Sequence, residues 1–376
     1  ELMKTTIDPL VLKARLVCEG ANVNQEVLSL FLRQNPSGIK RGGLSSGGKI
    51  KLETGFFVNF PLYLRQQVPF SIIKDPEKDN GIFIVEEKKV VSAAEIIEPP
   101  SWYAKTVQGF EITKIFTAHN RQLAAAVFED CVLFHLNQQC RFCVINRSLK
   151  QKNPKLILKS EILLVEALNK IPRESYDGIT LNGGMTLTLG RGMEILIPVV
   201  RLLRQTQADI SIAVEITPPV DLIFIKELRE AGASSLMMNL ETWDEEQRQK
   251  IIPGKNKYCP RSQYLKAFEY ALKIFGPGRV STCFVVGTES LESLKQGIEE
   301  VINLGVIPSP LASRFFEDII GYPFCPKVNW QEFMEVLKFT TLKLREKKIQ
   351  NTDKAGCIAC GMCDVVKDFL YLYQKI

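Results

Sequence analysis

From about residue 123 onward, short apolar runs alternate with longer segments in which apolar residues recur every three or four positions. The runs predict strands over 123–128, 178–181, 210–215, 235–240, 280–286 and 305–307. The segments predict helices over 160–170, 193–207, 222–231, 263–275, 291–304 and 330–347. Repeated strand–helix units predict an α/β fold with a parallel sheet, here a partial (β/α)6 barrel of the TIM type. In such barrels functional residues lie at the carboxyl ends of the strands.

The first 110 residues have a different pattern. A helical stretch over 9–32 is followed by a glycine–serine loop at 41–48, and then by strand-like pieces at 49–57 and 81–85. We therefore predict three parts: an N-terminal α+β extension over 1–110, the partial barrel over 111–348, and a C-terminal segment over 349–376.

Composition and charge narrow the function classes. The hydrophobic fraction of 45% and the charged fraction of 24% are ordinary for a globular protein. The net charge of +6 comes from bases scattered among acids, so we expect no nucleic acid partner. Apolar runs fall short of the roughly 18 residues that a membrane span requires, and the start does not resemble a signal peptide. We expect a cytoplasmic protein without a membrane partner.

Cysteine is the residue type that this composition does not explain. The chain has ten cysteines, and stable disulfides are rare in a reducing cytosol, so clustered cysteines indicate metal binding or catalysis. The clustered ones are Cys131, Cys140, Cys143, Cys357, Cys360 and Cys363, and those that stand alone are Cys18, Cys259, Cys283 and Cys325. We expect the lone cysteines to be ordinary small buried residues.

The first group, Cys131, Cys140 and Cys143, directly follows the first barrel strand. A structural zinc site requires four closed ligands. An iron–sulfur cubane held by three cysteines instead leaves one iron open to a small chelating molecule. An alternative is a zinc ribbon in which Cys357 and Cys360 complete the pair Cys140 and Cys143, although this would leave two clustered cysteines unexplained.

The second group, Cys357, Cys360 and Cys363, has two residues between each pair. This spacing suits a second, auxiliary cluster, because consecutive thiolates can reach neighbouring irons. Candidates for its fourth ligand are Ser45, Ser46 and Cys325. A bound zinc ion or an electron-relay cluster would also fit this spacing.

Polar residues and glycines follow the other predicted strands. Glycines at the end of the second strand would let the backbone approach a ligand closely. Asn239 and Glu241 alternate, so both are expected to project into the barrel mouth. A carboxylate at Glu215 can accept hydrogen bonds there, and an arginine at 261 can pair with a carboxylate. The candidate binding residues are Asn182, Gly183, Gly184, Glu215, Asn239, Glu241, Arg261 and Gly287.

Several segments together resemble biotin-synthase-related radical S-adenosylmethionine proteins. They include the Gly-Gly loop near 42, Ala118-His-Asn-Arg121, Cys140-Arg-Phe-Cys143, Asn239-Leu-Glu-Thr242, Ile252-Pro-Gly-Lys255, Val280-Ser-Thr282 and Lys354-Ala-Gly-Cys357. The likeness covers about residues 40 to 370. The chain departs from the usual cysteine spacing of three and then two, because Leu136 stands where a cysteine is expected. It also has Met185 where many members have glutamate.

The resemblance implies two 4Fe–4S clusters and S-adenosylmethionine. It implies that Phe142 lies beside the adenine and Gly287 beneath it, and that Asn182, Gly183 and Gly184 bind the methionyl amine. It further implies that Asn239 and Glu241 grip the ribose and face the substrate, which makes this pair our candidate for the catalytic residues.

One branch of this family supplies a subunit of a two-component lipoyl synthase. For this branch the resemblance implies that a 5′-deoxyadenosyl radical abstracts hydrogen from an octanoyl chain on a carrier-protein lysine, and that the auxiliary cluster supplies sulfur. The partners implied are a second radical S-adenosylmethionine subunit, an octanoylated carrier (a glycine cleavage H protein or a dehydrogenase E2 lipoyl domain), and an electron donor such as ferredoxin.

Two other functions stay open at this point. A second branch, encoded beside nitrilases, would act on a small nitrogenous metabolite. A zinc-stabilised binding module would have no enzymatic activity.

Overall fold

The computed structural model describes residues 7–34, 47–65, 67–143, 145, 156–313 and 328–373. Helices α1 (Pro9–Glu19) and α2 (Gln25–Gln34) lie on either side of strand β1 (Ala21–Val23). The prediction of one continuous helix over 9–32 is wrong at Gly20. This residue has a φ of 67°, and a Cβ here would lie 2.6 Å from the carbonyl oxygen of Pro61, so the chain turns where only glycine fits.

The N-terminal part is built on a seven-stranded sheet. Its further strands are β2 (Gly48–Leu52), β3 (Phe57–Phe60), β4 (Leu62–Tyr63), β5 (Phe70–Lys74), β6 (Gly81–Glu86) and β7 (Lys89–Ile96), in the order β3-β2-β7-β6-β5-β1-β4. Strand β1 runs parallel to β4 and β5, whereas the remaining pairs are antiparallel. Glu87 and Lys88 both have positive φ, as the tight β6–β7 hairpin requires.

A short hairpin, β8 (Thr106–Val107) with β9 (Phe110–Glu111), precedes the second sheet. The second sheet begins with β10 (Thr117–His119), which is antiparallel to β11. Six parallel strands follow in chain order: β11 (Gln122–Phe128), β12 (Gly178–Gly183), β13 (Ser211–Glu215), β14 (Ser235–Met237), β15 (Val280–Val286) and β16 (Ile307–Ala312). This curled, nearly closed sheet confirms the predicted partial barrel.

Helices follow or connect these strands. They are α3 (Val132–His135), α4 (Glu161–Asn169), α5 (Met193–Thr206), α6 (Ile223–Glu230), α7 (Glu245–Ile251), α8 (Pro253–Tyr258), α9 (Arg261–Phe275), α10 (Leu291–Leu304), α11 (Trp330–Glu346) and α12 (Val366–Tyr373). The sixth strand begins at Ile307, where the predicted one ends. Pro308 and Pro310 argue against a strand here when the sequence is considered alone. Strand β16 lies at the edge of the sheet, however, and an edge strand tolerates proline.

The two faces of the parallel sheet have different side chains. Ile212, Val214 and Leu236 face outward into a core shared with the helices. The alternate positions face inward, and many of them carry small side chains. These include Ala124, Ala126, Thr180, Ala213, Ser235, Ser281 and Ser309. The interior of the barrel is therefore not filled by the strands themselves.

The C-terminal segment packs into this interior. The 3-10 turn Gly356–Cys360 contacts β13 and β14, and the Ser281 hydroxyl donates to the carbonyl oxygen of Ala355 at 3.0 Å. Gly356 has a φ of 74°, and a Cβ here would lie 3.0 Å from the Ser235 Oγ. Small residues on both sides thus bring the second cysteine group inside the barrel.

Lys13 of α1 connects the N-terminal part to this segment. Its ammonium is fully buried, donates to the carbonyl oxygen of Gly361 at 2.6 Å and pairs with Asp368. The first sheet also reaches the segment, because the Asn59 backbone N–H donates to the Met362 carbonyl oxygen at 3.0 Å. The predicted domain boundaries at 110 and 348 stay predictions.

We expect Lys13→Met to lower the free energy of unfolding by about 3 kcal/mol, because it leaves Asp368 without its cation in a mostly buried place. The double variant Lys13→Met/Asp368→Leu should recover most of this loss. Urea unfolding of iron-free protein measures both, with Lys226→Met, which removes an exposed ion pair, as the control. Equal unfolding midpoints for Lys13→Met and Lys226→Met would contradict the role given to Lys13.

Candidate functional site

The first cysteine loop starts where β11 ends. Cys131 precedes the short helix α3, and the next residue, Val132, donates its backbone N–H to the Met185 carbonyl oxygen at 2.9 Å. On its other side, the Arg141 N–H donates to the Ile251 carbonyl oxygen at 2.8 Å. The loop is thus held between the end of β12 and the end of α7, at the carboxyl ends of the strands as predicted.

Two glycines make this close packing possible. A Cβ on Gly184 would lie 2.6 Å from the Asp130 carbonyl oxygen and 2.8 Å from the Cys131 Cα. A Cβ on Gly254 would lie 2.5 Å from the Gln138 carbonyl oxygen, to which the Gly254 N–H donates. Backbone rather than flexible side chain blocks both positions, so the glycines bring the cysteine loop to the barrel mouth. Gly183 packs against the Phe128 ring in the same way.

The thiols of this loop lie in apolar surroundings. Cys140 is buried with Ile251 and Ile252, and both Phe142 and Cys143 pack against this cluster. Burial raises the pKa of Cys140, and it raises the pKa of Cys143 to about 11. The charges of Glu241, Cys143 and Cys131 contribute to the rise at Cys140, and the charge of Cys131 contributes to the rise at Cys143. A metal must therefore displace protons when it binds, as thiolate ligands require.

A row of polar side chains crosses three neighbouring strands at the barrel mouth. Asn182 stands opposite Glu215 in the β12–β13 register. The Asn239 amide donates to the Glu215 Oε1 at 2.5 Å, and its oxygen accepts from the Cys283 N–H at 3.2 Å. Burial raises the pKa of Glu215, although both amides and the charge of Lys255 oppose that rise. The row brings three predicted binding residues together.

Glu241 lies beside this row, but alternation along β14, on which the sequence prediction rested, does not place it there. Strand β14 ends at Met237, and Glu241 is placed by a φ of 70° and by a bridge to β15, in which its N–H donates to the Cys283 carbonyl oxygen at 2.8 Å. Its Oε1 pairs with the Lys255 Nζ at 2.8 Å. Its buried Oε2 has no partner in the part of the chain that is described. A buried carboxylate oxygen without a partner can accept a hydrogen bond from a hydroxyl or an amine of a ligand.

Lys255 is a site residue to which the sequence assigned no role. Burial alone would lower its pKa, but the charge of Glu241 outweighs burial and raises the pKa well above the usual value. Its positive charge also opposes the rise in the pKa of Cys140. The signal available in the sequence was the Ile252-Pro-Gly-Lys255 segment, which carried the resemblance without a function for its lysine.

The structure places Arg261 and Gly287 around one neighbouring segment. The Arg261 guanidinium lies 4.4 Å from the centre of the Trp243 ring, donates to the Trp243 carbonyl oxygen at 2.6 Å and pairs with Glu245 at 3.3 Å. Gly287 directly follows β15 and has a φ of 95°, and Glu289 accepts a hydrogen bond from the Trp243 N–H at 2.7 Å. Both residues therefore shape the chain that follows Glu241. Their predicted ligand contacts stay predictions.

The second cysteine group lies deeper in the barrel. The Met362 N–H points to the Cys360 Sγ at 3.5 Å. Interaction with the Cys357 thiol lowers the pKa of Cys360 to about 7, and Met362 and Lys13 contribute to the lowering. The same interaction and burial raise the pKa of Cys357, and the charge of Glu215 adds to the rise. One thiol of this pair is therefore favoured as the thiolate, which is the form that binds metal.

Lone Cys283 proves to lie between the two groups. Burial raises its pKa, and the charges of Glu241 and Glu215 raise it further. It is a small buried residue, as expected, but it lies on the inner face of β15 rather than in the core beneath the helices. The other proposed ligands, Ser45, Ser46 and Cys325, lie outside the described residues.

Three thiols form the donor set of the first group, and thiolates are the ligands of iron–sulfur clusters. Among the described residues, no three His, Cys, Asp or Glu side chains converge as the ligands of one metal ion would. In a cluster each thiolate binds its own iron, so its ligands stand farther apart. A four-iron cluster held by these three thiols would keep one iron open to a ligand. The buried Glu241 carboxylate beside it would offer its free oxygen as a hydrogen-bond acceptor for the same ligand. Cys140 and Cys143 also lie in a different side-chain cluster from Cys357, unlike in a zinc ribbon.

Comparison with known proteins identifies this part of the chain. Residues 136–301 match the family model of the radical SAM superfamily, named for S-adenosylmethionine, so this region is a radical SAM domain. The family implies one 4Fe–4S cluster and S-adenosylmethionine. In the described residues, no helix is both long enough and apolar enough to cross a membrane.

Individual relatives are more distant. The bacteriochlorophyllide c C-7(1)-hydroxylase of Chlorobaculum limnaeum is 33% identical over 104 residues, which are 27% of this chain and 26% of that protein. The match thus spans about a quarter of the hydroxylase. Methylornithine synthase is 16% identical over 59% of this chain and 62% of its own, with a TM-score of 0.47. A radical SAM methyltransferase from Sphaerobacter thermophilus is 13% identical over 73% of this chain and 75% of its own, with a TM-score of 0.45.

We expect Gly184→Ala to lower the iron content of the first site, because the added Cβ collides with the backbone that carries Cys131. Iron per chain, measured after anaerobic reconstitution in a Cys357→Ala background, isolates that site. Gly276→Ala is the control, since Gly276 has positive φ and open space, so its replacement costs about 1 kcal/mol without a collision. Equal iron in the two variants would contradict the packing argument.

Proposed function

We propose that this chain is a radical SAM enzyme that inserts sulfur into an octanoyl chain carried on a lysine of a carrier protein. One observation carries the proposal: both cysteine groups adjoin the same interior space of one barrel. The Cys283 backbone bonds to Asn239 and Glu241 at the barrel mouth, beside the first group, and Cys357 of the second group packs against the cluster that contains Cys283. A substrate in this space would reach both groups.

The first site has the features needed to generate a radical. When bound, the cluster and S-adenosylmethionine would supply a 5′-deoxyadenosyl radical that abstracts hydrogen from an unactivated carbon. The chain's residues would orient the ligand: Asn182, Asn239 and Glu215 offer amide and carboxylate groups, and Glu241 offers its spare oxygen. Apolar packing of Phe142 and Cys140 against α7 would keep water from the cluster.

The second site supports sulfur insertion over other radical reactions. The turn Gly356–Cys360 contacts β13 and β14, so a cluster held by Cys357, Cys360 and Cys363 would be anchored at the inner wall of the barrel. Sulfide from this cluster is then the sulfur source, and the second radical SAM subunit would insert the other sulfur.

Partners follow from the substrate. We propose that a glycine cleavage H protein or a dehydrogenase E2 lipoyl domain delivers the octanoyl-lysine, and that a ferredoxin-like donor supplies electrons. The similarity to the bacteriochlorophyllide hydroxylase favours a second candidate, in which a radical at an unactivated carbon leads to hydroxylation and not to thiolation.

We expect Glu241→Gln to weaken S-adenosylmethionine binding by roughly ten- to a hundredfold, because a charged acceptor contributes about 1.5–3 kcal/mol per hydrogen bond. The iron content should not change. Equilibrium dialysis of iron-loaded protein measures the Kd. Glu246→Gln, which removes an exposed carboxylate paired with Lys250, is the matched control. If both variants bind like the wild type, Glu241 does not bind the ligand.

We expect Cys357→Ala to form 5′-deoxyadenosine but no thiolated product. The assay contains reconstituted protein, the partner subunit, an octanoyl-lysyl peptide and a reductant, and mass spectrometry follows the peptide. Thiolation that persists in this variant would rule out the second cluster as the sulfur source. Wild-type protein that makes deoxyadenosine and a hydroxylated peptide would favour the alternative.

A further inference from the structure

We propose that Cys283 is the fourth ligand of the cluster at the second cysteine group. It would complete the set begun by Cys357, Cys360 and Cys363. The inference rests on the proposed second cluster and replaces the ligands that the sequence suggested.

The position of Cys283 on β15 brings it toward the cysteine turn. Ser281 and Cys283 are two residues apart on one strand, so they face the same side and lie roughly 7 Å apart along it. The Ser281 hydroxyl bonds the carbonyl oxygen of Ala355, two residues before Cys357. The strand that carries Cys283 is thus joined directly to the segment that carries the other thiols.

Packing places the thiol in the same small cluster. Cys283 is only 5% exposed and lies in an apolar cluster with Met237, Ile307, Ala355 and Ile358, and Cys357 packs against that cluster. The backbone of Cys283 is fixed on both sides, because its N–H donates to Asn239 and its carbonyl oxygen accepts from Glu241. A thiol held this firmly needs little reorganisation to act as a ligand.

Unpartnered hydroxyls on the inner wall are a second, independent observation. Ser235 is 1% exposed and Thr180 is 2% exposed, and neither hydroxyl has a hydrogen-bond partner within the described residues. Both occupy inward-facing positions, and Ser235 lies against Gly356. A buried hydroxyl without a partner costs about 1–3 kcal/mol. Cluster sulfides accept hydrogen bonds, so a cluster in this interior would satisfy both groups.

Four thiolates would give the two sites different roles. A cluster bound by three cysteines keeps one iron open to S-adenosylmethionine, whereas a fully ligated cluster offers only its sulfides. The second site would therefore bind no chelating small molecule.

The test uses the full chain in a Cys140→Ala/Cys143→Ala background, which lacks the first cluster. We expect about four irons per chain in this background, with each iron held by one thiolate. Adding Cys283→Ser should speed iron loss to a chelator roughly tenfold or more. Mild oxidation should then give a three-iron cluster, visible by electron paramagnetic resonance. Cys283→Ala should behave in the same way.

Two further variants separate the outcomes. Cys259→Ser removes another fully buried lone thiol and should match the background in both measurements. If Cys283→Ser also matches the background, or if Cys325→Ser destabilises the cluster in its place, the assignment of Cys283 is wrong while the second cluster stands. If the background binds no iron although it folds, as judged by circular dichroism, the second cluster and the proposed sulfur insertion both fail.

Discussion

The architecture depends on small side chains at the inward-facing positions of the barrel strands. Ala213, Ser235 and Ser281 leave an interior that the strands cannot fill, and close packing does not tolerate such a space. The turn Gly356–Cys360 enters it, and Gly356 has no Cβ to strike the wall. A larger residue at any of these positions would push the second cysteine group out of the barrel. The small side chains on the inner face of the strands therefore allow one barrel to hold both groups of thiols.

Buried charge is arranged around the same interior. Each cysteine group has one lysine whose positive charge favours the thiolate form: half-buried Lys255 beside Cys140, and fully buried Lys13 beside Cys360. Each lysine is paired with a carboxylate, Glu241 or Asp368. An isolated ammonium at either place would be costly, so the acid and the base are needed together. Lys13 comes from the first helix, which explains how the N-terminal part contributes to a site more than 300 residues away along the chain.

Periodicity in the sequence predicted the barrel well, because each strand and helix has its own local pattern. It located the first cysteine loop and the row of Asn182, Glu215 and Asn239 at the strand ends. It missed what depends on contacts between distant segments. Glu241 faces the mouth through a positive φ and a bridge to β15, and simple alternation along β14 does not produce that placement. Cys283 is a ligand candidate because the C-terminal turn packs against β15, and local periodicity does not encode that contact between distant segments.

The central claim is that the chain holds two separate clusters on one barrel, and metal analysis of three proteins tests it most directly. Iron and acid-labile sulfide are counted after anaerobic reconstitution of the wild type, of Cys140→Ala and of Cys357→Ala. The account predicts about eight irons in the wild type and about four in each variant, with sulfide matching iron. Zinc without iron in the wild type, or loss of all metal in both single variants, would contradict it, since either result would mean one shared site.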